Sequence, residues 1–153
     1  MDYAAYTTVG REIYPGRQVN ITCIKDTDTL ENQCDHLRFR IVYIKEGHGI
    51  FQNGGNSQII TSPAVLCLNH EDDVCLHNTS DIKMDIMYFD PFCYGRYIEY
   101  EDYDDWKNKL GEDVYFFRPF FERTDTYIGA CSINFSLGSR ITQLISLTGE
   151  ELS

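Results

Sequence analysis

The chain has no uninterrupted apolar run approaching the ~18 residues that a membrane-crossing helix needs. Its start, Met1-Asp2-Tyr3-Ala4-Ala5, lacks the positively charged segment followed by an apolar one that marks an export signal. A cytoplasmic protein with no membrane partner is therefore expected. Positive charge is scarce as well: 13 Lys and Arg stand against 24 Asp and Glu, giving a formal net charge of -11 and a pI near 4.6. A phosphate backbone would meet mostly like charge and release few counterions, so this segment by itself is not expected to bind nucleic acid. Much of the imbalance lies in Glu99, Glu101, Asp102, Asp104 and Asp105, which read as a solvated stretch. No internal repeat or low-complexity segment is present, and the six cysteines, at positions 23, 34, 67, 75, 93 and 131, follow no regular spacing. Without an export signal they are expected to be reduced thiols rather than a disulfide framework. No catalytic constellation stands out, because paired acids such as Asp72-Asp73 and Glu150-Glu151 fall in a turn or on a helix surface, where solvated charge is ordinary.

What is present is apolar and aromatic. The 153 residues are 42% hydrophobic and 14% aromatic, with 11 Tyr and nine Phe, enough for one packed core. Aromatic and β-branched side chains suit a pleated, half-buried surface, so many short runs containing Val and Ile favour strands.

Along the chain, Tyr14-Pro15-Gly16 marks a turn in an opening arm, and Val19 to Ile24 alternates as a strand. Leu37 to Lys45 is a predicted strand, Glu46-Gly47-His48-Gly49 a turn, Ile50 to Gln52 a short strand and Asn53-Gly54-Gly55-Asn56 a hairpin turn. The run Gln58 to Thr61 continues this meander until Ser62-Pro63 interrupts it. Ala64 to Leu68 is nearly all apolar and reads as a strand buried on both faces. Strands are also predicted at Val74 to Asn78, Ile82 to Phe89 and Ile128 to Ile133. Tyr100 to Leu110 reads as a covering helix stopped by Gly111, and Val114 to Phe121, with Pro119 inside it, as an edge strand or extended packing segment. Ile141, Leu144, Ile145 and Leu152 fall near the helical repeat, with Ser139 available as cap. More protein is expected to follow that helix.

Within residues 34 to 92 the sequence resembles cupins, and among them the N-terminal domains of AraC-type transcription regulators. The first cupin motif is His-x-His, three or four residues, Glu, six residues, Gly; Cys34-Asp35-His36, Arg40 and Gly47 keep the spacing with one ligand of the usual set. At the second motif, Gly, five residues, Pro-x-Gly-x-x-His, then Asn, this chain carries Ala64, His70, Asp72, Cys75 and Thr79. The regulator branch is suggested by Gly47-His48-Gly49 running into Phe51-Gln52-Asn53-Gly54, and by Ile86-Met87-Tyr88-Phe89-Asp90-Pro91. The resemblance implies a mainly β chain folded as a cupin-type double-stranded β-helix, a jelly-roll barrel with a covering helix and a C-terminal helix. Residues 1–135 would form the effector-binding barrel with its N-terminal arm. Residues 136–153 would begin a dimerisation helix or linker, with DNA bound only through a C-terminal domain not in this chain. The implied function is small-molecule sensing and homodimerisation in transcription regulation, without enzymatic activity or cofactor.

In cupins the motif ligands point into the barrel, so strand alternation puts Cys34, His36, Arg38, Arg40 and Val42 inward and Leu37, Phe39, Ile41 and Tyr43 outward, under a helical cover. By the same parity Cys75 and His77 on one strand, and Met84, Ile86 and Tyr88 on another, should line the cavity. Arg40 stands where metal cupins keep a carboxylate ligand, and a permanent cation there repels a divalent ion while suiting a carboxylate or several sugar hydroxyls. The expected site is thus a polar small-molecule pocket for a sugar or organic acid, built on His36, Arg38, Arg40, His77 and Tyr88, with Met84 and Ile86 as its wall. The plainer alternative is that Arg38 and Arg40 pair with acids at the barrel mouth and that both histidines are satisfied core residues. Two others remain open: a freestanding metal cupin enzyme, oxygenase or isomerase, ligating through Cys34, His36 and Cys75, and a carbohydrate-binding module.

Overall fold

The computed structural model describes residues 3–7, 12–14, 17–18, 21–31, 38–89 and 117–152, the first three segments as backbone only. In chain order these form β1 (Tyr3–Thr7), β2 (Glu12–Tyr14), β3 (Arg17–Gln18), β4 (Ile21–Thr27), β5 (Phe39–Asn53), β6 (Asn56–Thr61), β7 (Ala64–Leu68), β8 (Val74–Phe89), α1 (Arg118–Phe121), β9 (Ala130–Ser132) and α2 (Phe135–Leu152). The expected mainly β chain with a C-terminal helix is what folds. Seven strands make one antiparallel sheet in the order β1-β4-β8-β5-β7-β9, with β6 also on β5, while β2 and β3 form a separate pair. The two end strands, β1 and β9, do not pair with each other, so among the described residues the ladder stays open rather than closing into a barrel.

Two long strands organise the sheet. The first half of β5, Arg40 to Ile44, pairs with β7, its second half, His48 to Asn53, pairs with β6, and β8 runs along both halves. The predicted turn at Glu46-Gly47-His48-Gly49 is therefore a strand interior, as is the predicted break between Asn78 and Ile82. Register shifts between Ile44 and Ile50, Gly47 at φ 86, and positive φ at Asn78 and Asp81 mark bulges where sequence punctuation suggested turns. The bulges change which residues face inward: Val42 and Ile44 enter the main core before them, and Phe51 after them. That core gathers Val42, Ile44, Phe51, Ile60, Leu66 and Leu68 with Met84 and Ile86, so both halves of the bent sheet enclose one interior. At the hairpin Gly54 takes φ 59, as the two-residue turn between Asn53 and Asn56 requires.

The opposite face is covered by helices, as expected for Phe39, Ile41 and Tyr43. Phe39 stacks on Phe120 of α1 with centroids 4.9 Å apart and meets Phe89 and Phe117 edge-on, with Ile41 alongside. Residues 118–121, predicted as extended, form this short helix because Pro119 fits a first helical turn, where its missing N–H is not needed. α2 lays Ile141 and Ile145 on Cys23, Ile21 and Met87. It begins earlier than Ser139: Asn134 Oδ1 accepts the Leu137 N–H at 2.7 Å and caps the helix. Gly138 brings α2 close to the sheet, since a Cβ there would lie 2.6 Å from Tyr43 Oη. β7 is buried on one face only; Ala64, Leu66 and Leu68 are buried, while Val65 and Cys67 are half-buried. The predicted covering helix at 100–110, and Leu37, lie outside the described residues.

Candidate ligand site

Three neighbouring strands place a ladder of side chains in the interior. Arg40 sits between Leu68 of β7 and Tyr88 of β8, Val42 between Leu66 and Ile86, and Ile44 between Ala64 and Met84. Alternation along β5 and β8 turns all of these to one side, and all are buried. Arg40, Met84, Ile86 and Tyr88 therefore come together as the sequence implied.

Arg40 is the one charged member of this ladder. Its exposure is 0%, and it is the largest of the fully buried side chains. Nη1 donates to the Glu31 carbonyl at 2.5 Å, while Nε and Nη2 have no hydrogen-bond partner. A buried donor left unmade costs about 1–3 kcal/mol, more where charged, so this guanidinium is held at a price the surrounding packing must offset. Among the described residues Arg40 has no ion pair, so the alternative of pairing with an acid at the mouth is not what its described contacts show.

The remaining predicted residues divide. Arg38 is half-buried and immediately precedes β5. Cys34 and His36 lie outside the described residues. His77 and Cys75 are corrected: Val74 and Leu76 of β8 pack into the core, so the residues alternating with them face the other way. Cys75 is exposed, and His77 is half-buried opposite Ile50. The inward parity assumed two independent strands, whereas one continuous β8 keeps its even-numbered residues inward at both ends. Among the described residues no group of three His, Cys, Asp or Glu stands close enough to hold a metal.

Polar clusters that spacing did not reveal lie elsewhere. Asp72, 8% exposed, accepts from Arg123 Nη2 at 2.7 Å, from the Asn69 N–H at 2.8 Å and from the Asn53 amide at 3.0 Å. Arg123 also donates to the carbonyls of Cys67, Phe120, Pro119 and Glu122, which ties α1 to β7. On the outer face of the sheet, buried Asp85 pairs with Lys45 Nζ at 2.8 Å, and Lys45 also binds Asp26. Burial alone would lower the Lys45 pKa, but its hydrogen bonds to Asp26 and Asp85 raise it overall, while the bond from Lys45 lowers that of Asp26.

Outside the sheet, a largely apolar groove of about 520 Å³ lies between β7, β9, α1 and α2, lined by Val65, Cys67, Pro119, Tyr127, Leu137 and Ile141 among others. Burial pushes the Cys67 thiol up to about 11 and the Tyr127 phenol up to about 12, so both stay protonated at neutral pH and Cys67 is a poor nucleophile. Among the described residues no helix is long and apolar enough to cross a membrane. No protein-family model matches this chain, and neither a curated protein nor a solved structure matches it.

Proposed function

We propose that this chain is the effector-sensing and dimerisation part of an AraC-type transcription regulator, its open curled sheet being a cupin-type roll that takes a sugar or organic acid into its interior. The observation that carries the reading is Arg40, a permanent cation that is fully buried, flanked in the ladder by Leu68 and Tyr88, with two donors unused. Evolutionarily costly buried charge of this kind is most simply explained by a polar ligand that completes it. The connections of Arg40 suit a sensor. Its Nη1 is bound to Glu31, in the segment that leaves β4, and β4 pairs with β1 of the N-terminal arm and contributes Cys23 to the packing of α2. A ligand that repositions Arg40 would bias the arm and the helix together, a population shift between arrangements of the dimer.

Dimerisation is assigned to α2. Leu144 is 61% exposed and Leu147 59%, on the helix side away from Ile145, and Leu137 connects them to the groove. Large exposed apolar patches of this kind serve as contact surfaces, and the same helix of a second copy is the occupant proposed. DNA would be read by a separate basic domain, as in the regulators the sequence resembles.

The experiment joins this chain to a DNA-binding module that occupies its operator only as a dimer, and follows reporter repression alongside sedimentation of the isolated chain. Wild-type should repress, and the Leu144→Glu, Leu147→Glu double variant should lose repression while keeping its circular dichroism spectrum. A chain that sediments as a monomer at every concentration and never represses would overturn the dimerisation half of the reading.

A further inference from the structure

The unused donors of Arg40 are not any two. In a guanidinium, the Nε–H and the N–H of Nη2 on the same side point in parallel, at the spacing of the two oxygens of one carboxylate. Nη1, on the other side, is the nitrogen taken by the Glu31 carbonyl. The fold thus occupies the far side of the group and leaves the whole bidentate edge without a partner, in the interior between Leu68 and Tyr88.

We infer that this site takes a carboxylate carrying an apolar body, clamped side-on by Nε and Nη2 of Arg40; the inference rests on the sensing role proposed above and chooses between its two ligand classes. A carboxylate neutralises the guanidinium and satisfies both donors in one contact. A sugar would surrender the hydration of several hydroxyls to the apolar ladder that runs on from Leu68 through Val42, Leu66 and Ile86, and this edge would return only two hydrogen bonds. Both unused nitrogens are closed off from solvent, so a ligand enters by displacing the groups that cover them. That requirement favours a slender aliphatic or flat aromatic body, which replaces apolar contact with apolar contact.

The test uses the 153-residue chain and matched probes: octanoate with octanamide, benzoate with benzamide, and glucose, followed by thermal shift and calorimetry. The acid of at least one pair should raise the melting temperature while its amide does not. Arg40→Lys keeps the charge but lacks the parallel donors, and should weaken binding on the order of 10- to 100-fold, the loss expected for a charge-assisted hydrogen bond. Arg40→Met fills the same length with apolar atoms, is expected to fold, and should erase the distinction between acid and amide. Binding of an acid that is indifferent to both replacements, or binding of glucose but of neither acid, overturns the carboxylate assignment and leaves a sensing role standing. If no probe of either class binds and Arg40→Met melts above wild-type, the guanidinium is only an uncompensated charge, and the sensing reading falls with the assignment.

Discussion

Replacing Gly47 by Ala probes the place where β5 bends against β8. Gly47 has φ 86, and a Cβ built there would lie 2.5 Å from the Ser80 carbonyl oxygen and 2.6 Å from the carbonyl carbon and oxygen of Asp81. All three are backbone atoms of the neighbouring strand, so relief requires moving β8 rather than turning a side chain. The left-handed conformation costs an L-residue about 1–2 kcal/mol, and forcing atoms into a filled space adds about 1–3 kcal/mol. The sum is about 2–5 kcal/mol. Gly54→Ala supplies the control, because Gly54 also has positive φ, at 59, but nothing lies within 4 Å of its added Cβ. That variant should lose only the conformational part, about 1–2 kcal/mol. Urea unfolding followed by far-ultraviolet circular dichroism separates the two, provided the slope with denaturant is unchanged, which places the effect on stability rather than on the compactness of the unfolded chain. For a chain of this length each kcal/mol moves the melting temperature by about 2–4 °C, so thermal unfolding should rank the variants the same way. Equal losses for Gly47→Ala and Gly54→Ala would refute the close approach of the two strands, and with it the bulge that turns Phe51 into the core.

Asp72→Ala should cost about 1–3 kcal/mol, because it leaves the Asn69 N–H without its acceptor and takes from Arg123 its counter-charge, although Arg123 keeps its backbone carbonyls and Asn53 keeps that of Ile128; measured by urea midpoint, the double variant Asp72→Ala, Arg123→Met should lose less than the sum of the single losses, and strict additivity would show that the two do not interact. The Cys67 thiol is raised from 9.0 to about 11 in the folded chain, so between those values the unfolded state binds fewer protons and stability falls as pH rises. Accordingly, the difference in melting temperature between wild-type and Cys67→Ala should shift against wild-type as pH goes from 9 to 11, and a difference independent of pH would contradict the burial of that thiol.

Local pattern made some elements legible and left others obscure. Ala64–Leu68 can be bounded from its apolar run and the preceding Ser62-Pro63, and the Asn53 to Asn56 hairpin from its two glycines. The inward face of Met84, Ile86, Tyr88 and Arg40 follows from strand alternation once the resemblance to cupins says which parity turns inward. Gly47 and Gly49 suit a turn and a bulge equally well in the sequence; the partner strand β8 decides between them, and no local window contains it. The same continuity of β8 put His77 on the wrong side, since its parity has to be counted from Leu76 and not from the motif position of Cys75. The cap of α2 was missed because Phe135 and Leu137 are exposed and do not extend the buried stripe that begins at Ile141. Arg123 and Asp72, 51 residues apart, carry no spacing signal at all.

Two cations of β5, Arg40 fully buried and Lys45 half-buried, differ in what their own chain offers them. Lys45 and Arg40 leave the same strand on opposite faces, five residues apart, and both lose much of their hydration. Lys45 meets two carboxylates of its own chain, and its raised pKa expresses a charge that folding favours. It is a structural clasp between β4, β5 and β8. Among the described residues Arg40 meets one carbonyl and no acid, although the chain carries a net charge of -11. A fold with that surplus could have supplied a counter-charge through one substitution on β7 or β8, at Leu68 or Tyr88, where the ladder puts a side chain directly opposite. Both positions instead hold apolar or aromatic groups, so under the proposed sensing role the bidentate edge stays open to an anion from outside the chain.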